Sequence, residues 1–156
     1  MDDIDFSQKY DAYGEMLFRI GISYLGCKED AEEVTQDAFV KLISGAPAFN
    51  DSEHEKAWLI RITVNACKNV LHGRLHRSPI NIDEITENYA DPSDGRILDE
   101  IVRLPMKYKA AIHLYYYEDY SVKEIARILH ISHSAVKMRL KRGREILKIE
   151  MESADI

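Results

Sequence analysis

The chain has 156 residues, 46% hydrophobic and 31% charged, with a net charge of −6. That is apolar material enough for a folded core and too much for a disordered tether. No run of about 18 apolar residues occurs, and MDDIDFSQKY is acidic where an export signal starts basic, so neither membrane insertion nor secretion is expected and the cytoplasm is the expected location.

β-branched alternation is rare and the long periodic segments repeat at helical spacing, so the expected fold is all-α. A first helix, about residues 7–25, places Tyr13, Leu17, Ile20 and Tyr24 on one face. Glu29, Asp30, Glu32 and Glu33 crowd the first turns of a second, where carboxylates complement the helix dipole, and Ala31, Val34, Ala38 and Leu42 form its apolar stripe. Gly45 and Pro47 end it. A third helix, about 55–71, carries Ala57, Ile60, Val64 and Cys67 inward. Cys27 and Cys67 form no CxxC pair and read as packing residues.

SPINIDEITENYADPSDGR combines prolines, a glycine and many acids without periodicity, which predicts a flexible acidic linker over 79–97 between two small helical domains, 1–78 and 98–156. Beyond it a helix is expected over 98–104, Pro105 interrupts, and KYKAAIHLYYY continues as another. In SVKEIARILHISHSAVKMRLKRG, Ser121 and Glu124 have capping-box spacing, HIS makes a turn, and Ser132 can cap a further helix whose inner face is Val136, Leu140, Gly143 and Leu147. His130 stands where such turns usually have Gly and must accept a left-handed backbone. Two helices with this turn, and cations on the outer face of the second, are the parts of a helix-turn-helix that reads a major groove.

The mean charge hides its distribution. No carboxylate lies between Lys56 and Arg77, where Arg61, Lys68 and Arg74 occur. Residues 79–100 are acidic, and Lys137, Arg139, Lys141, Arg142, Arg144 and Lys148 then face only Glu145. Two basic blocks flank an acidic spacer, a pattern that points to nucleic acid in spite of the acidic total.

LPMKYKAAIHLYYYEDYSVKEIARILHISHSAVKMRLKRGREIL resembles the C-terminal domain, and DAEEVTQDAFVKL with KAWLIRITVNACKNVLHGR the N-terminal domain, of bacterial RNA polymerase sigma factors of the extracytoplasmic-function (ECF) group. The resemblance implies that Lys137, Met138, Lys141 and Arg142 face bases of the −35 element, with Arg139 and Arg144 suited to phosphates. It implies that Asn65 and Asn69 sit on the helix that melts the −10 element, with Arg61 and Lys68 as its cations and Phe49 and Asn50 in a loop that holds a flipped base. Many relatives carry Asp where Asn69 stands. Trp58 matches a residue of that region, but its neighbours Leu59 and Ile60 favour a place in the core. Glu33, Gln36, Asp37 and Ile43 match the surface that docks on the clamp of the largest subunit of core RNA polymerase. An anti-sigma inhibitor is a further partner that the family implies.

Neither a cofactor nor a metal is expected. HExxH, GxSxG and Walker patterns are missing, and His72 with His76, or His130 with His133, supply two ligands at most, so the chain does not read as an enzyme. The competing reading is an autonomous helix-turn-helix regulator that binds an operator as a dimer.

Overall fold

The computed structural model describes residues 3–77 and 95–155, and every regular element among them is helical. Helix α1 spans Asp3–Leu25, α2 Lys28–Gly45 and α3 Ser52–Arg77. Helix α4 spans Gly95–Arg103, α5 Met106–Ile112 with a π-helical turn at His113–Tyr117, α6 Val122–Leu129 and α7 His133–Asp155. Residues 78–94, most of the expected linker, lie outside the described residues, and α4 begins inside its expected C-terminal end.

Local chemistry explains the breaks. Gly26, at φ 64°, closes α1 by donating its N–H to the Ile22 carbonyl at 2.8 Å, the left-handed cap that glycine adopts without a Cβ clash. Ala46 ends α2 in extended backbone because Pro47 follows it. Asp51 accepts the His54 N–H at 2.8 Å, which starts α3 three residues before its expected first turn. The π turn replaces the plain helix expected through YYY. Its wider pitch sets His113 beside Glu118, five residues on, at 2.8 Å.

Helix α1 is the centre of the molecule. It buries Met16, Leu17, Ile20, Ile22, Tyr24 and Leu25 against α2 and α3 on one side and α4 and α5 on the other. Gly21 permits the close approach of α2, since a Cβ there would stand 2.9 Å from the Ala31 Cα. One core cluster runs without a break from Leu17, Leu59 and Val64 to Ile101, Ile112, Ile125 and Leu140. Each such side chain contributes about 1.5–3 kcal/mol on full burial. The two helical groups, α1–α3 and α4–α7, therefore pack on each other, an arrangement that no local pattern in the chain discloses.

Candidate nucleic-acid interface

The C-terminal group contains the expected motif. Ser121 Oγ accepts the Glu124 N–H and the Glu124 carboxylate accepts the Ser121 N–H, both at 3.1 Å. That backbone bond holds the Glu124 carboxyl below its usual range. Ile125, Ala126 and Ile128 point inward. His130 takes the left-handed conformation, φ 55° and ψ 46°, and the Ile131 N–H reaches back to the Ala126 carbonyl at 3.1 Å. Ser132 Oγ then accepts the Ala135 N–H at 3.0 Å and opens α7.

Val136, Leu140 and Gly143 fix which way α7 faces, because all three are buried. A Cβ on Gly143 would come within 2.6 Å of the Ile112 side chain, so α7 lies tight on α5. With that face locked, Lys137, Met138, Lys141 and Arg142 are exposed together, Met138 at 53%. Arg144 is also exposed and donates to the Tyr116 hydroxyl at 3.2 Å. Arg139 differs. It is half-buried, and burial together with the Arg139 charge pushes Lys68 below the ordinary lysine value.

In the N-terminal group, Asn65 and Asn69 are exposed one turn apart. They line an open groove between α2 and α3 with Glu33, Asp37, Lys41 and Arg74. Two residues expected on the polymerase surface therefore share a groove with two expected at the melting site. Arg74 ties the groove's end by pairing with Asp30. Gln36 looks into a different groove, between α1 and α2, with Tyr10, Glu15 and Phe18. Ile43 is 54% exposed and Val40 59%. Val40 escaped sequence reasoning, although 36, 40 and 43 share one helical face. Phe49 is half-buried, with ring centroids 5.3 Å from His54 and 5.5 Å from Trp58, and Asn50 is exposed. Trp58 packs against the core, as its neighbours suggest.

Arg61 does not face solvent alone. Its Nη1 donates to the Ile128 carbonyl at 3.0 Å and lies 2.9 Å from His130 Nε2, in the turn of the helix-turn-helix. At the other end of the junction between the two groups, Arg19 binds Glu118 through two nitrogens at 3.1 and 2.8 Å. His113 lies between Glu118, at 2.8 Å from Nε2, and Ser23, at 2.5 Å from Nδ1. Burial holds the imidazole below its usual value of 6.5, against the pull of Glu118. Burial also opposes ionisation of Glu118, but the His113 and Arg19 bonds outweigh it and its carboxyl is lowered. A neutral ring then donates from Nε2 to the carboxylate and accepts the Ser23 hydroxyl at Nδ1.

Lys109 Nζ donates to the carbonyls of Ser23, Ile101 and Val102 at 3.0, 3.0 and 2.6 Å. These carbonyls lie in the last turns of α1 and α4, where helix dipoles favour a cation, and that of Ile101 also accepts the Leu104 N–H at 3.0 Å. Burial pushes the amine down to about 7, while three acceptors matched to three N–H donors oppose loss of the proton. The sequence signal for this site is Lys109, set directly before Ala110, Ala111 and Ile112 in α5. Among the described residues no cluster of His, Cys, Asp or Glu could hold a metal, and no helix is long and apolar enough to cross a membrane.

Comparison with known proteins covers both groups. Residues 10–75 match the model of Sigma-70 region 2 and residues 94–147 that of Sigma-70, region 4. The RNA polymerase sigma factor SigZ of Bacillus subtilis is 31% identical, over 78% of this chain and 72% of its own. The ECF RNA polymerase sigma factor SigW of the same organism is 27% identical, over 96% of this chain and 90% of its own. Among solved structures, the sigma factor RpoE of Bartonella quintana, in complex with the anti-sigma factor NepR, superposes with a TM-score of 0.73 at 20% identity, covering 95% of this chain and 97% of that one.

Proposed function

Because the chain belongs to the ECF group of RNA polymerase sigma factors, which bind core polymerase and direct promoter-specific initiation, we propose that its two helical groups divide the promoter between them. Helix α7 reads the −35 element through Lys137, Met138, Lys141 and Arg142, with Arg144 on the phosphate backbone. Arg and Lys reach guanine O6 and N7, and each good bidentate pairing discriminates by about 1–3 kcal/mol. Asn65 and Asn69 offer amides to unstacked bases of the −10 element from the rim of the α2–α3 groove. Glu33, Gln36, Asp37 and the exposed pair Val40 and Ile43 offer an acidic and apolar surface to core polymerase. The chain acts in the cytoplasm, as an initiation factor without chemistry of its own, and an anti-sigma factor is a natural partner given the RpoE–NepR complex.

The observation that carries the reading is the locked inner face of α7, which turns four base-contacting candidates outward together. A mobility-shift assay on promoter fragments, with and without core polymerase, tests it. A shift that requires core is expected. A strong, dimeric shift by the chain alone restores the autonomous regulator.

A further inference from the structure

We propose that Tyr116 is a positioning residue for the −35 contact: its phenol, on the π-helical turn, aims the Arg144 guanidinium at a DNA phosphate without taking up its charge. This role rests on the −35 reading of α7 given above and adds to it a residue from outside the helix-turn-helix.

Lys137, Lys141 and Arg144 follow one another along α7 at steps of four and three, so the three exposed side chains stand on one face. In a helix-turn-helix the N-terminal residues of the second helix meet the base edges. Arg144 lies seven residues beyond Lys137, about 10 Å along the axis at about 1.5 Å per residue. The major groove is roughly 8.5 Å deep and roughly 12 Å wide. With Lys137 at the base edges, Arg144 therefore stands at the rim of the groove, where phosphates are presented.

The packing of α7 brings Arg144 to Tyr116. At Gly143 a Cβ would come 2.6 Å from the Ile112 side chain and 3.6 Å from the Tyr108 Cβ, so only glycine lets α7 sit this close to α5. The next residue along α7 is thereby carried to the π turn that continues α5, and Arg144 Nη1 donates to the Tyr116 hydroxyl at 3.2 Å. Tyr116 is 43% exposed, an unusual place for a large ring, and Tyr115 supports it edge-on with ring centroids 4.9 Å apart. Departures from α to π geometry are frequent at functional positions.

The chemistry of the partner completes the case. Arg19 and Arg74 are paired with carboxylates, Glu118 and Asp30, which offset their charge. Glu118, two residues beyond Tyr116, is spent on Arg19 and His113. Among the described residues no ion pair takes up Arg144. A phenol oxygen accepts one of the guanidinium N–H groups and leaves the others, with the whole positive charge, to an anion. It also restrains a long exposed side chain before DNA arrives, so that less rotamer freedom is lost on binding.

Holoenzyme assembled from the full chain and core polymerase, titrated by fluorescence polarisation on a promoter duplex that needs its −35 element, tests this over about 50–200 mM salt. Arg144→Ala should weaken binding about tenfold and make the slope of log affinity against log salt shallower by about 0.9, the share of one phosphate. Tyr116→Phe keeps the ring and removes the hydroxyl. It should weaken binding about threefold, with part of the same loss of slope. In the Arg144→Ala background it should add nothing, because the hydroxyl acts only through that guanidinium. Both losses should be the same on duplexes with altered −35 bases, as for any phosphate contact. A Tyr116→Phe holoenzyme with wild-type affinity and slope overturns the proposal. So does one that weakens binding equally with and without Arg144, the result that a merely structural hydroxyl would give. Failure of the −35 reading is a different result: Lys141→Ala with Arg142→Ala then leaves promoter binding intact, and the role of Tyr116 falls with it.

Discussion

Helices α3 and α7 are both basic, and they use their cations in opposite ways. On α7 the buried side is set by Val136, Leu140 and Gly143, and Lys137, Lys141 and Arg142 are left to solvent. On α3, Arg61 is bonded to the turn after α6, Arg74 to Asp30, and Lys68 is half-buried near Arg139. A charge count along the chain treats the two helices alike. The difference lies in what packs on them: the outer face of α7 is open to solvent at these cations, whereas α3 is covered at several points by α2 and by the C-terminal group. A basic run is thus available to a ligand only where the fold leaves it uncovered.

The contrast is broken most directly on α7. Lys141→Ala with Arg142→Ala should cost about 1–3 kcal/mol for each bidentate pairing with a base that is removed, seen as a collapse of run-off transcription from promoters that need their −35 element. The melting temperature should stay nearly unchanged, since both side chains are exposed. Normal transcription by this variant would remove α7 from its assigned role.

Lys109→Met probes the covered side. It takes the lysine from the carbonyls of Ser23, Ile101 and Val102, of which Ile101 keeps the Leu104 N–H, and a single unsatisfied buried acceptor costs about 1–3 kcal/mol. A clear fall in the urea midpoint is expected. A midpoint equal to wild type would mean that the three carbonyls find other partners.

Asn65→Ala with Asn69→Ala sharpens the contrast within α3, because these two residues are exposed where the cations are not. Each hydrogen bond removed is worth about 0.5–1.5 kcal/mol. Transcription should fall on duplex templates and recover in part on pre-melted ones, because base capture follows strand separation. Equal defects on both templates would place the role of these residues elsewhere.

The smallest effect is the pH dependence of the junction. His113 has its folded-state value lowered from 6.5, so the unfolded chain binds the proton more readily than the folded one. The stabilising share of the neutral ring is complete above about 6.5 and is lost as the pH falls toward the lowered value. Between about pH 7.5 and pH 5.5 the wild-type chain should lose more thermal stability than His113→Gln, whose side chain does not titrate in that range. Parallel losses would show that other groups carry the acid sensitivity.

Wherever the physics is short-range, the sequence already determined the outcome. The capping box at Ser121 and Glu124, the left-handed turn at His130, the Ser132 cap and the inward side of α7 all depend on residues within one or two helical turns of each other. Helical periodicity carried the all-α fold, and the resemblance to ECF sigma factors, which rested on these stretches and on two in the N-terminal group, carried the family. Tertiary structure alone decided the rest. That α1 packs α4 and α5 as well as α2 and α3, that Lys109 caps two helices distant in the chain, and that Glu33 and Asp37 share a groove with Asn65 and Asn69 all follow from pairings between residues far apart in sequence. Such pairings form because α1 is apolar around more of its circumference than two neighbouring helices cover. Its helical period shows that α1 is buried, and only the packed molecule shows by what.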